Sequence, residues 1–419
     1  MPECAQPLIA TLAAGLLATA CSSMPARADQ QTSDQDFAQI EQGRYLTTVA
    51  DCAACHTSPG SQDQFAGGRA IETPFGKVLA ANITPDQKTG IGSWTDSQFD
   101  AAVRLGRLPD GSRLYPAMPF PYYTRMTQAD VRAIRAYLST LPAVHHEVRS
   151  NQLPFPFNVR ASMWLWDSLY FDPGPYKADP SKSAQWNRGA YLVRGPGHCA
   201  ACHSPKTALG GDRAQQPLQG YTLQGWFAPD ITGDTAFGLG NWSVDDVIAY
   251  LKTGHNRLAA ASGPMGEEVA DSSSRMTDAD LHAIAVFLKE VPGPAAAGTP
   301  LSAQDRQMVA GAAIYRDLCS ACHQQDGSGV PYLIPNLARS SAVGSREPTS
   351  LLRVVIHGAQ SVGTPGEPTA PAMPPFGWQL SDEQIAAVIT FVRNSWGHAA
   401  PATSASEVHK ARPLAASGG

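Results

Sequence analysis

The sequence predicts an all-α protein of three tandem modules, and three observations carry that prediction. The five-residue pattern Cys-x-x-Cys-His occurs at Cys52–His56, Cys199–His203 and Cys319–His323. Each copy follows a helix candidate, over residues 36–50, 184–197 and 304–318, and precedes an amphipathic run behind a capping residue. A chain of 419 residues also exceeds a single core, and three copies favour three cores over two.

Residues 1–28 read as a signal peptide. Leu8 to Ala20 is an apolar run of the right length, and Ala26-Arg27-Ala28 is a small-x-small cleavage site that would leave Asp29 first in an exported chain. A second reading is a lipoprotein signal, Leu17-Ala18-Thr19-Ala20-Cys21, with Cys21 lipidated. No other window is long and apolar enough to span a bilayer, so membrane association is expected to be peripheral, lipid-based or through a partner.

The first module is assigned to residues 29–146, the second to 184–292 and the third to 304–397. Their opening helices carry Gly43 with Tyr45, Gly189 with Tyr191, and Gly311 with Tyr315, a small residue near an aromatic that suits close helix crossing. Their closing helices start at Thr127 with Asp130, Thr277 with Asp280, and Ser381 with Gln384. Val131, Ile134 and Leu138 match Leu281, Ile284 and Leu288, and the third module supplies Ile385, Val388, Ile389 and Val392. The first two modules share a middle helix, Thr95 to Leu105 and Ser243 to Thr253, ended by Gly106 and Gly254. Residues 147–183 form an aromatic-rich linker, residues 293–303 a second linker, and residues 398–419 a tail of Ala, Ser, Thr and Pro read as disordered.

Cys-x-x-Cys-His is the attachment signature of c-type haem. The two thiols form thioethers to the porphyrin edge and the adjacent imidazole ligates the iron. A thioredoxin-like pair or half of a zinc site would use Cys-x-x-Cys without needing the histidine. Three covalent haem c groups are therefore expected, on Cys52 and Cys55, Cys199 and Cys202, and Cys319 and Cys322, with His56, His203 and His323 on the irons. An opening helix crossed by a closing helix around the haem makes these three tandem class I cytochrome c domains. Haem attachment of this type occurs outside the bacterial cytoplasmic membrane, which agrees with the leader and places the chain on the periplasmic side.

Met118, Met265 and Met373 are the candidate sixth ligands, because each lies in a Pro- or Gly-rich loop and thioether sulfur favours reduced iron. They stand 62, 62 and 50 residues beyond their histidines, so the third module is shorter by one loop. Met126 and Met276, at the starts of closing helices, read as core. His255 and His357 read as structural or surface groups, while Trp94 and Trp242 recur at one site as core residues or as indole donors to a haem propionate. Irons closed by His and Met leave no place for substrate, so the chain is not expected to be an enzyme by itself. Charged residues are only 16% and the net charge is −5, so nothing suggests a nucleic-acid partner, which would call for a basic face. Gly238-x-Gly240 and Gly327-x-Gly329 lack a third glycine, so no dinucleotide fingerprint is present.

Gly43-Arg44-Tyr45-Leu46, Asn82-Ile83-Thr84-Pro85-Asp86, Tyr115-Pro116-Ala117-Met118-Pro119, Leu153-Pro154-Phe155-Pro156-Phe157-Asn158 and Trp242-Ser243-Val244-Asp245-Asp246 carry a resemblance. From Phe37 to Trp396 the chain resembles the triheme cytochrome c subunit of membrane-bound periplasmic dehydrogenases that oxidise alcohols, aldehydes, gluconate or sugars. The resemblance implies a dehydrogenase large subunit as electron donor and ubiquinone or a terminal oxidase as acceptor. A free-standing periplasmic carrier is the alternative; a haem peroxidase would need one iron with an open position.

Overall fold

A computed structural model describes residues 28–294 and 298–413, with side chains from residue 36. The leader up to residue 27, with Cys4 and Cys21, and the last six residues lie outside the described residues. The architecture is mostly helical, and three short antiparallel hairpins qualify the all-α reading: Ala70–Thr73 with Gly76–Leu79, Gln219–Leu223 with Trp226–Asp230, and Ala359–Gln360 with Ala372–Met373.

The opening helices are Ala28–Val49, Ala184–Arg194 and Arg306–Ile314; the closing helices are Gln128–Leu138, Asp278–Glu290 and Asp382–Val392. Each pair crosses backbone to backbone. A Cβ added at Gly43 would lie 1.8 Å from the Ala133 carbonyl oxygen, one at Gly189 would lie 1.9 Å from that of Ala283, and one at Gly311 would lie 2.2 Å from that of Ala387. No side chain fits there, which is why each opening helix carries glycine. The closing helices begin where Thr127, Thr277 and Ser381 accept from the amides of Asp130, Asp280 and Gln384. Middle helices follow at Asp96–Leu105 and Val244–Thr253, ended by Gly106 and Gly254 at φ 62° and 79°. The third repeat has one as well, Thr349–His357, which sequence reading missed.

Each repeat buries its own cluster: Leu46, Phe99, Val131 and Leu138 in the first, Leu192, Trp242, Leu281 and Phe287 in the second, and Tyr315, Leu352, Ile385 and Ile389 in the third. Val49 of the first opening helix is buried in the second cluster. The first two repeats also exchange a contact. Tyr45 donates to Asp280 at 2.6 Å, and its counterpart Tyr191 donates to Asp130, the counterpart of Asp280. Arg188 adds two hydrogen bonds to Asp280, at 2.8 and 2.7 Å.

Burial pushes the Asp280 carboxyl up, but its bonds to Arg188 and Tyr45 outweigh this and hold it below the ordinary value. A depressed carboxyl contributes stability that is present above its unfolded pKa of about 4 and is lost as pH falls through the lower folded value. Asp280→Asn is therefore expected to lower the melting temperature at pH 7, with the difference from wild type shrinking below pH 4. Thermal melts across that range check it, and a pH-independent difference would remove Asp280 from the account.

The linker over residues 147–183 is packed. Gln152 pairs with Lys77 through amide–carbonyl bonds of 3.0 and 2.8 Å, and Trp166 donates its indole N–H to the Leu209 carbonyl at 2.9 Å. Arg113 and Asp167 form a buried ion pair at 3.0 Å.

The tail is corrected from disordered to ordered over residues 398–413. It carries a helix, Ala405–Ala411, with Val408 fully buried. Polar side chains hold it. The buried Arg393 donates to the carbonyls of Pro401, Ser345 and Arg346 and to the Thr403 hydroxyl, while Arg412 reaches Asp382 at 2.5 Å and the Gly377 carbonyl at 2.6 Å. Composition signals few apolar side chains, and here side-chain to backbone hydrogen bonds replace them.

Candidate functional site

Each Cys-x-x-Cys-His motif occupies a tight turn at the end of an opening helix. Cys52–His56 is one helical turn entered through Asp51 at φ 48°, and Ala200–His203 is entered after His198 at φ 34°. In the third repeat a π-turn, Tyr315–Cys319, runs into Ser320–His323. The three imidazoles are then fixed in one way. Nδ1 of His56 donates to the Ala81 carbonyl at 2.6 Å, that of His203 to Pro229 at 2.7 Å, and that of His323 to Pro335 at 3.2 Å. Carbonyls only accept, so the proton sits on Nδ1 and Nε2 keeps its lone pair. Burial lowers the pKa of all three rings and keeps them neutral, the state that binds a metal.

The carbonyls that anchor these rings escaped sequence reading, although a signal was present. Each is followed by an Asn or Asp whose side-chain oxygen closes a local turn: Asn82 with the Thr84 amide at 2.9 Å, Asp230 with Thr232 at 2.7 Å, and Asn336 with Arg339 at 3.0 Å. The histidine precedes its anchor by 25, 26 and 12 residues. The loop missing from the third repeat is therefore the one that carries the hairpin in the other two.

All twelve predicted residues line one continuous cavity of 2580 Å³: six cysteines, His56, His203, His323, Met118, Met265 and Met373. A site for one organic ligand has about 300–1,000 Å³, so the space suits three. Met118 stands in the turn before Phe120–Tyr123, Met265 in the first turn of a helix Pro264–Asp271, and Met373 on a strand paired with Ala359. The rivals Met126 and Met276 belong to buried clusters, while also reaching the cavity wall.

The thiols are free and unlike those of a redox pair. Burial pushes Cys52 and Cys199 up to about 12 and Cys55 and Cys319 up to about 11, whereas a reactive Cys-x-x-Cys thiol is shifted down. Among the described residues no group of three or more His, Cys, Asp and Glu side chains is disposed to hold a metal ion. Trp242 lines the cavity with a buried indole N–H that has no partner, a donor suited to a carboxylate of a group seated there. Trp94 also lines it. His255 is buried away from the cavity with Nδ1 on the Thr253 carbonyl at 3.1 Å, and His357 donates to Ala411 at 3.4 Å.

Residues 40–142 and 308–396 match the family described as Cytochrome c. The cytochrome c subunit of the quinone alcohol dehydrogenase of Gluconacetobacter polyoxogenes is 38% identical over 427 residues, covering 96% of this chain and 91% of that one. The gluconate 2-dehydrogenase cytochrome c subunit of Pantoea cypripedii is 38% identical over 401 residues, covering 91% and 90%. The chain belongs to the family of dehydrogenase cytochrome c subunits. The fructose dehydrogenase cytochrome subunit of Gluconobacter japonicus, 36% identical over 436 residues and covering 97% and 90%, is a further relative. The family implies covalently bound haem c, and the residues present fit it: paired free thiols lining the cavity, a neutral imidazole with a free Nε2, and an apolar wall.

Two cations of this cytochrome, unforeseen from sequence, tie the first two motifs across the repeats. Arg69 donates to the Ala54 carbonyl inside the first motif at 2.8 Å and to Glu267, two residues beyond Met265, at 2.7 Å. Lys206 donates to the Ala200 carbonyl of the second motif at 2.7 Å, to the Tyr122 hydroxyl of the first repeat at 3.1 Å, and to Asp212. No local pattern marks them, because each joins segments distant in sequence.

Proposed function

We propose that the chain is a triheme electron-transfer subunit that takes electrons from a dehydrogenase large subunit and passes them to ubiquinone or a terminal oxidase. One observation carries the reading: three sets of two cysteines, one Nδ1-anchored histidine and one methionine open on a single cavity. The haem irons supply one-electron chemistry, cycling between ferric and ferrous states. The cysteines would hold each ring, and His56, His203 and His323 through Nε2, with the sulfurs of Met118, Met265 and Met373, would ligate the irons. Closed coordination favours outer-sphere transfer over substrate turnover. The relatives' names support a dehydrogenase as donor, and the leader-like residues 1–28 support work on the periplasmic side of the membrane.

The test is to purify the native complex, count covalent haem per chain, and add the large subunit's substrate. Three haems are expected, all reduced by substrate and reoxidised by a ubiquinone analogue. A chain that purifies alone and still supports respiration, or one that shows a high-spin haem turning over peroxide, would overturn the reading.

A further inference from the structure

Three residues beyond each motif histidine the repeats differ in charge: Pro59 in the first, Lys206 in the second and Asp326 in the third. Asp326 is turned to solvent, where its carboxylate accepts from the Ser328 amide at 3.0 Å. Lys206 is turned inward. Only 10% of its side chain is exposed, and it lies on the wall of the cavity beside the second motif. A tight turn over residues 207–211, closed by the Thr207 amide on the Gly211 carbonyl at 2.7 Å, brings Asp212 back to face it. The three hydrogens of the ammonium are all taken, by the Ala200 carbonyl inside the motif at 2.7 Å, the Tyr122 hydroxyl at 3.1 Å, and Asp212. Tyr122 donates its own proton to Asp212 at 2.8 Å, so its oxygen is left to accept. The rings of Tyr122 and Tyr221 lie 5.7 and 6.0 Å from the same nitrogen. Three acceptors and two aromatic faces hold this amine as the cation.

The ion pair is lopsided about the cavity. Asp212 is 36% exposed and is not among the residues of the cavity wall, so solvent screens the anion more than the cation. The first motif differs. Arg69 reaches the Ala54 carbonyl there, but Glu267, which accepts from it, stands on the wall beside it and offsets its charge. Two acids of the wall act on the second motif, Glu268 and Asp51, and burial pushes them up to about 7 and about 8, so neither carries its full charge at pH 7. The Lys206 charge does reach the motif: burial pushes the Cys202 thiol up, and Lys206 opposes that shift. Reduction of a haem iron adds one negative charge, so a fixed cation at low exposure favours the ferrous form.

We propose that Lys206 raises the reduction potential of the haem held by Cys199 and Cys202, with Asp212 as the counter-ion that limits the rise. The inference rests on the triheme reading above and gives one side chain a part in ranking its stations.

Spectroscopic redox titration of the purified holoprotein tests it. Lys206→Gln keeps a donor for the Ala200 carbonyl and removes the charge. At a fixed applied potential the ferrous-to-ferric ratio of one haem should then fall about threefold to tenfold, which is roughly 30–60 mV for a one-electron couple, with three haems still attached. Asp212→Asn removes the counter-charge and should raise the potential of the same haem, while Lys206→Arg, which keeps the charge, should leave it near the wild-type value. Opposite signs for the two neutralising changes are what a purely structural role would not give. The haem that responds should be the one that Met265→Ala shifts, and a response confined to another haem overturns the proposal. Should Lys206→Gln lose haem, Asp212→Asn decides alone: a raised potential supports the proposal, and an unchanged or lowered one overturns it. Three haems with unmoved potentials, or both changes moving the potential in one direction, overturn this inference and leave the triheme reading standing. A wild type with no haem on Cys199 and Cys202 overturns both.

Discussion

Gly189→Val is expected to prevent assembly of the second site. The first added carbon would fall 1.9 Å from the Ala283 carbonyl oxygen and 2.8 Å from the Phe287 Cβ, positions that only a shift of the helix pair can relieve. Overpacking a core costs about 1–3 kcal/mol where side chains can move, and backbone meeting backbone exceeds that. Such a loss is a large part of the roughly 5–15 kcal/mol that holds a folded protein. Because this pair of helices frames the Cys199–His203 motif, haem content should fall from three per chain to two, with an earlier melting transition. Gly366→Ala, at a position with nothing within 4 Å, should leave both unchanged. A Gly189→Val protein with three haems and a wild-type melt would show that the crossing is not the constraint described.

Replacing Met118, Met265 or Met373 by alanine, one at a time, is expected to lower one haem potential at a time while all three haems remain attached. Thioether sulfur stabilises ferrous iron, and axial ligands move haem potentials over a span of about 0.8 V, so a fall of a few tenths of a volt is the scale to look for. Met126→Leu and Met276→Leu are the controls. Both positions are buried core, 0% and 4% exposed, and a swap that conserves volume costs less than about 1.5 kcal/mol without touching iron. Spectroscopic redox titration separates the two groups. An unchanged titration for Met265→Ala would refute that ligand, and a shifted one for Met276→Leu would nominate its replacement.

What could be read from the sequence was what repeats locally. The caps at Thr127, Thr277 and Ser381, the left-handed glycines Gly106 and Gly254, and the helices they bound are encoded within a few residues. All twelve expected site residues reach one cavity, because the three motifs and methionine loops are local patterns too. The joining of the first two sites was not legible, since Arg69, Lys206 and the Tyr45 and Tyr191 bonds that tie their repeats link segments 61 or more residues apart. The third middle helix was missed because Thr349–His357 starts behind Pro348 with no side-chain cap. The tail was misread because Arg393 and Arg412, rather than an apolar stripe, hold it.

The exchanged bonds, Tyr45 to Asp280 and Tyr191 to Asp130, have the form of an isologous interface, in which residue i of one copy meets residue j of the other and the reverse. The third repeat has Gln384 where the others have Asp130 and Asp280 and cannot join in. The first two repeats thus hold within one chain what a symmetric dimer holds between two. Covalent linkage replaces a dissociation constant with a fixed effective concentration, of millimolar order for a short tether, so dilution cannot part them.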